Sequence, residues 1–226
     1  PEWLQNKLRL IGVRPINNIV DITNYILHAY GQPMHCFDAD KIKGGKIVVK
    51  TCAEGTPFVT LDEVERKLSD KDLMICNAEE PMCIAGVFGG LDSGTTETTT
   101  DVFLESAYFH PTWVRKTARR HGLSTDSFFP FRTWYRPEHH YLCLEGGRSA
   151  GERNWPEVKI ASDIKDNYPN PIADFAVELS YNYVNSLIGK GKFRQKTVKS
   201  IVTSLEMKIV EETDRKVFLC RFLLIV

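Results

Sequence analysis
Residues Arg14 to Asp38 read RPINNIVDITNYILHAYGQPMHCFD, and this run organises the rest of the chain. Pro15 disfavours helix for Arg14 before it. Asn17 and Asn18 supply cap chemistry for a helix starting at Ile19. Ile19, Ile22, Ile26 and Ala29 fall at helical spacing as an apolar stripe, and Gly31 is placed to stop the helix. Off the stripe lie Thr23 and Asn24, which compete for backbone hydrogen bonds and are poor helix formers. Pro33 then stiffens an extended segment carrying His35. On these residues alone, a satisfied polar pair and a surface histidine explain the stretch as well as a site does.

Working outward, residues 1–12 read as a helix, with Leu4, Leu8 and Ile11 on one face and Gly12 at its end. Short β-rich runs follow at Lys46–Cys52, Pro57–Leu61, Leu73–Cys76, Met82–Phe88 and Val102–Ser106, with a turn at NAEEP. His110-Pro111 opens a helix that runs to His121 and closes at Gly122. Beyond Ser162 a proline-bearing linker leads to a strand at Ala176–Leu179 and a helix over Ser180–Gly189. A second helix spans Lys196–Leu205 with Val198, Ile201, Val202 and Leu205, and a strand follows at Lys208–Glu211. No regular strand–helix–strand rhythm appears, so the class expected is α+β.

The 226 residues allow one or two domains with a real core. Lysine plus arginine equals aspartate plus glutamate at 29 each, so RNA contact would need a local patch. Six scattered cysteines without CxxC pairing point to free thiols in a reducing, cytoplasmic setting. No apolar run reaches membrane-spanning length, and no membrane partner is expected. Pro1 at the start and an apolar end suggest a piece of something longer.

Three features bear on chemistry, each with two readings. The glycines of AGVFGG, Ala85 to Gly90, let backbone amides approach an ester oxyanion, or they form a bulged turn. Glu105, inside FLESA, points to solvent on the alternating face, or inward where it needs a partner. Arg115, Lys116, Arg119 and Arg120 make a solvated helix face or a phosphate-facing strip.

The run from Arg14 to Asp38, followed in order by CIAGVFGG, FLESAYF and RKTARRHGLSTDS, closely resembles the beta subunits of bacterial phenylalanine–tRNA ligases, in the domain that edits mischarged tRNA. The resemblance extends over most of the C-terminal third. It implies a mixed-sheet editing domain over residues 1–160, a linker over 161–174, and a truncated winged-helix-like α/β domain over 175–226. It also implies an aminoacyl-tRNA ligase subunit that hydrolyses tyrosine wrongly esterified to tRNA(Phe). The synthetic site then lies on an alpha subunit, in an assembly of two alpha and two beta chains. The alternative is a tRNA-binding and assembly module without hydrolysis. ATP and magnesium are implied for the whole ligase and no cofactor for this stretch, where the task is to position a water and stabilise an oxyanion.

The family's site residues carry over one by one. Glu105 matches the residue that recognises the tyrosine hydroxyl. Arg14 and His35 match residues near the terminal adenosine and the ester, and His35 is able to take a proton near neutral pH. Thr23 and Asn24 match the polar pair on the helix, and Pro33 the stiff turn. Gly86 and Gly89 match the glycine-rich wall, and Thr125 the site threonine. Ser127 stands where many relatives carry alanine.

Residues 128–157 break the pattern. They lack periodicity, and His139, His140 and Cys143 are poorly spaced for a metal site. Suitable codons read in a neighbouring frame restore the family's next motif and an amphipathic helix. Similar shifts restore the end from Arg215 and, less decisively, Gly189–Lys196. Residues 128–157 are expected to pack poorly.

Overall fold
The computed structural model describes residues 1–123, 158–170, 176–189, 193–205 and 207–220. The reading of residues 128–157, the metal reading of His139, His140 and Cys143, and the positions of Thr125 and Ser127 lie outside these. Contacts divide the chain into two units, Pro1–Asp163 and Ile164–Val226.

In the first unit, helix α1 (Glu2–Leu10) buries Leu4 and Leu8. Ile11 does not join that face, because the helix ends one residue earlier and leaves it 53 % exposed. Helix α2 (Asn18–Tyr30) starts where the cap chemistry places it: Asn17 accepts a hydrogen bond from the Val20 amide. It stops at Gly31, whose backbone is left-handed at φ 73°. The inward stripe is Ile22 and Ile26 joined by Asp21, Thr23 and Leu27, while Ile19 is half-buried and Ala29 exposed. Asp21 is buried because its carboxylate accepts the Ile16 amide at 2.8 Å, pinning the loop after Arg14. Leu4, Ile22 and Ile26 form a small core between the two helices, with Tyr25 and Met34 packed on it.

Strand β1 (His35–Asp38) pairs with β8 (Val102–Glu105). A four-stranded sheet runs β2 (Val48–Thr51), β5 (Leu73–Cys76), β6 (Pro81–Ile84), β7 (Phe88–Gly89) in that spatial order. Strands β3 (Pro57–Val59) and β4 (Glu65–Lys67) form a hairpin. Every pairing among the described residues is antiparallel, so the unit is α+β but its sheets are not mixed. Two expectations shift. Met82–Phe88 is not one strand, because Gly86 adopts φ 68° and Val87 donates to the Ile84 carbonyl, so the chain turns back on itself. Strand β4 lacks an apolar alternation to betray it, with its two ends exposed.

Helix α3 (Pro111–His121) follows, capped by His110 and ended by Gly122. Val114 and Ala118 enter the main core with Phe37, Phe58, Met74, Ile84 and Phe109. Its C-terminal end is clamped by buried Asp72, which accepts from Thr117 Oγ1 at 3.0 Å, from the Ser69 amide at 2.8 Å, from His121 Nε2 at 2.7 Å and from Arg120. Arg66 adds a bond to the His121 carbonyl at 2.8 Å. Arg120 is therefore engaged in holding the fold, whereas Arg115, Lys116 and Arg119 form no ion pair among the described residues.

The second unit has β9 (Ala176–Ser180), α4 (Tyr181–Ile188), α5 (Gln195–Ser204), β10 (Lys208–Glu212) and β11 (Lys216–Cys220). Strand β11 lies between β10 and β9, both antiparallel to it, although it falls in the terminal run read as out of frame. Tyr181, Val198, Val202 and Val217 make its core. Ile201 and Leu205 stay exposed, because the inward face of α5 is set by Val198 and Val202. Among the described residues, this unit has two short helices and a three-stranded sheet. The winged-helix likeness remains an expectation.

Candidate functional site
A recess of about 160 Å³ opens in the first unit, lined by Pro33, Met34, His35, Leu61, Cys83, Gly86, Val87, Phe88, Gly89, Glu105 and Phe109. Five sequence-predicted residues thus meet: Pro33, His35, Gly86, Gly89 and Glu105. They come together because β1 and β8 pair in the register that sets His35 directly opposite Glu105. In an antiparallel pair, opposite residues share a face. Phe37 and Phe103 are two positions away on the same face, and the imidazole meets the Phe37 ring edge-on at 4.5 Å between centroids.

Glu105 therefore points inward, and no ion pair to it forms among the described residues. The cost of burial is met by a weaker acid: burial pushes its carboxyl up to about 7. Burial acts on His35 in the other direction, lowering it to about 4. At neutral pH the imidazole is uncharged. Its Nε2 is shut off from solvent and makes no hydrogen bond among the described residues. An unsatisfied ring nitrogen in a recess is a group held ready for a ligand or a water.

The glycine-rich wall works by leaving room. A Cβ on Gly89 would stand 2.8 Å from His35 Cε1 and 2.9 Å from Leu61 Cδ1, so only glycine lets the imidazole lie against the strand. A Cβ on Gly86 would lie 2.9 Å from the Phe109 ring, at a backbone conformation that already favours glycine. The amides of Val87 and Gly90 donate to the Ile84 and Met82 carbonyls, so these two are committed to the turn.

Other predicted residues fall elsewhere. Arg14 is exposed in the loop before α2, and neither Thr23 nor Asn24 lines the recess. Thr23 is buried, and its hydroxyl donates to the Val20 carbonyl at 2.9 Å, the back-bonding that a mid-helix threonine adopts. Cys83, Leu61 and Phe109 line the recess without having been singled out. Cys83 is a buried thiol, pushed well up by its burial and then by the Glu105 carboxylate. Only its place in the run CIAGVFGG connected it to the site. Among the described residues no three His, Cys, Asp or Glu side chains gather as a metal-ligand set, and no helix is long and apolar enough to cross a membrane.

A model of the B3/4 domain family matches residues 1–145. The phenylalanine–tRNA ligase beta subunit of Bacteroides thetaiotaomicron is 68% identical over 213 residues, which is 94% of this chain and 26% of that one. The corresponding subunit of Porphyromonas gingivalis is 53% identical over 219 residues, with coverage of 95% and 26%. The chain thus spans about a quarter of the length of the curated relatives it matches. An N-terminal fragment of the phenylalanyl-tRNA synthetase beta subunit from Pyrococcus horikoshii aligns over 89% of this chain and 58% of its own, with a TM-score of 0.40 and 14% identity. That likeness is too slight to bear on the fold.

Proposed function
The chain belongs to the B3/4 domain family, and from that membership we propose that it edits: it binds tRNA(Phe) and hydrolyses tyrosine wrongly esterified to it, as part of a phenylalanine–tRNA ligase beta subunit. The observation that carries this reading is the opposition of His35 and Glu105 inside one recess walled by Gly86 and Gly89.

A pocket selected for phenylalanine rejects the added hydroxyl of tyrosine only weakly, by roughly two orders of magnitude, so errors pass. A second site that bonds the hydroxyl discriminates far better, because phenylalanine leaves the site's polar group without a partner. Glu105 serves here. Its carboxyl titrates at about 7, so binding a phenolic O–H favours the ionised, accepting form. The apolar sides of Leu61, Phe88 and Phe109 suit an aromatic ring.

Hydrolysis needs a water aimed at the ester carbonyl and a place for the developing charge. His35 contributes the free Nε2. Burial keeps it neutral and makes it a weaker base than a free histidine, so its role is to hold the attacking water more than to take its proton outright. Arg14, Thr23, Asn24, Thr125 and Ser127 belong to the proposal through the family resemblance. An alpha subunit that forms the ester, with its ATP and magnesium, completes the ligase in this reading, as two alpha and two beta chains.

The test is deacylation. The chain is mixed with tyrosyl-tRNA(Phe) and phenylalanyl-tRNA(Phe), and release of each amino acid is followed against spontaneous hydrolysis. Faster release of tyrosine is expected. Binding of tRNA with no release of either amino acid would instead favour the module that only docks and assembles.

A further inference from the structure
Helix α3 has two unlike faces. The inner one is Pro111, Val114, Thr117 and Ala118. The outer one carries Trp113, 49% exposed, with exposed Arg115, Lys116, Arg119 and Arg120. The helix has no acidic residue. Arg120 is committed to Asp72, whereas Arg115, Lys116 and Arg119 form no ion pair among the described residues. Arg115 with Arg119, and Lys116 with Arg120, are like charges one turn apart. Such spacing destabilises an isolated helix by a few tenths of a kcal/mol per pair. The repulsion works against the helix, and the cations stand together on one face of a chain whose net charge is zero.

The aromatic residue supplies the second half. Lys116 Nζ lies 5.0 Å from the centre of the Trp113 ring, so a large exposed indole is held among cations. Cations that meet phosphates beside an aromatic face that stacks a base form the shared chemistry of single-stranded nucleic-acid grooves. The helix is also fixed to the recess. Val114 and Phe109 pack against Gly86 of its wall, and Asp72 clamps the far end.

We propose that the outer face of α3 is an RNA-docking surface, on which Arg115, Lys116 and Arg119 take backbone phosphates and Trp113 stacks a base. The identity of that RNA as the substrate tRNA rests on the editing reading; the surface itself does not. The face holds the strand outside the recess while the esterified end enters it.

The full chain is titrated with uncharged tRNA(Phe) across a salt series. The triple variant Arg115→Gln, Lys116→Gln, Arg119→Gln should lose about tenfold or more in affinity at about 0.1 M salt, with the slope of log affinity against log salt reduced by about two to three. Trp113→Ala should lose severalfold with its salt slope unchanged, the mark of stacking. Lys196→Gln with Lys208→Gln, exposed lysines of the second unit, should bind as the parent does. The melting temperature of each variant checks that the fold is kept. A triple variant with unchanged affinity and slope overturns the proposal, as does an equal loss in the lysine control or a parent chain that binds no tRNA. Binding is read with uncharged tRNA(Phe) and editing with the esterified one, so a failure of the editing chemistry is read separately from a failure of this surface.

Discussion
His35 and Glu105 stand directly opposite each other in the β1–β8 pair, on the face that also carries Phe37 and Phe103. Burial drives both toward neutrality, one by weakening a base and the other by weakening an acid. Among the described residues, neither is held by an ion pair. An uncharged imidazole beside a carboxyl that titrates at about 7, in an apolar recess, suits a neutral aromatic ligand that brings its own hydroxyl.

The opposition has a pH signature. Unfolded His35 holds a proton between about 4 and 6.5 that the folded form lacks, so its contribution to stability rises with pH across that range. Folded Glu105 holds a proton between about 4.5 and 7 that the unfolded form has lost, so its contribution falls as pH rises. The two offset each other from about 4.5 to 6.5. Glu105→Gln removes the falling part. Its stability should climb from pH 4 to 6.5 by at most about 3 kcal/mol relative to the parent's profile. Urea midpoints at half-unit pH steps measure it, and parallel curves for parent and variant would contradict the burial of Glu105.

Specificity should rest on the same carboxyl. A charge-assisted bond to the phenolic hydroxyl contributes roughly 1.5–3 kcal/mol. Glu105→Ala should cut the preference for tyrosyl over phenylalanyl esters by about tenfold or more, mostly by weakening tyrosine. The ratio of the two deacylation rates reports it. An unchanged ratio would remove Glu105 from substrate choice.

Gly89→Ala should injure the site through His35. The added methyl meets the imidazole at 2.8 Å and Leu61 at 2.9 Å. Strain of this kind typically costs about 1–3 kcal/mol, and the displaced ring no longer presents Nε2 to the recess. Tyrosine release should fall severalfold or more while tRNA affinity holds. A shift of the His35 ring signals in NMR would tie the loss to the imidazole. A variant with parental signals and parental rate would sink the account.

The Asp72 clamp should be a stability element separate from catalysis. Burial weakens its acid, but the Ser69 amide, His121 and Thr117 outweigh that and hold the carboxyl below the usual range. Its contribution is present at neutral pH and is lost as pH falls through the folded value. Asp72→Ala leaves Arg120 and His121 without their shared partner and should destabilise by about 3 kcal/mol near pH 7. The difference from the parent should shrink toward pH 3. Thermal melts at both pH values test this, and a constant difference would exclude an electrostatic clamp.

The helices were legible because their signals are local. Asn17 and Gly31 bracket α2, and Pro111 and Gly122 bracket α3, each by chemistry that acts within one turn. Which residues of those helices face inward was less legible. Ile11 and Ala29 fit a periodic stripe, yet the packing between α1 and α2 ends before reaching them. The turn at Gly86 was invisible as a strand break, because an apolar run from Met82 to Phe88 satisfies a straight strand equally well.

By itself the sequence determined the α+β class, the helix limits, the family and five residues of the recess, since caps, turns and motifs are written in neighbouring residues. Tertiary structure alone decided what those five do to one another. The register between β1 and β8 is a long-range choice, set by which faces bury together, and it turned Glu105 inward opposite His35. Tertiary packing also brought Cys83, Leu61 and Phe109 to the recess from separate parts of the chain. Burial, and with it the proton affinity of both groups, depends on atoms brought from distant parts of the chain, and no local pattern carries that information.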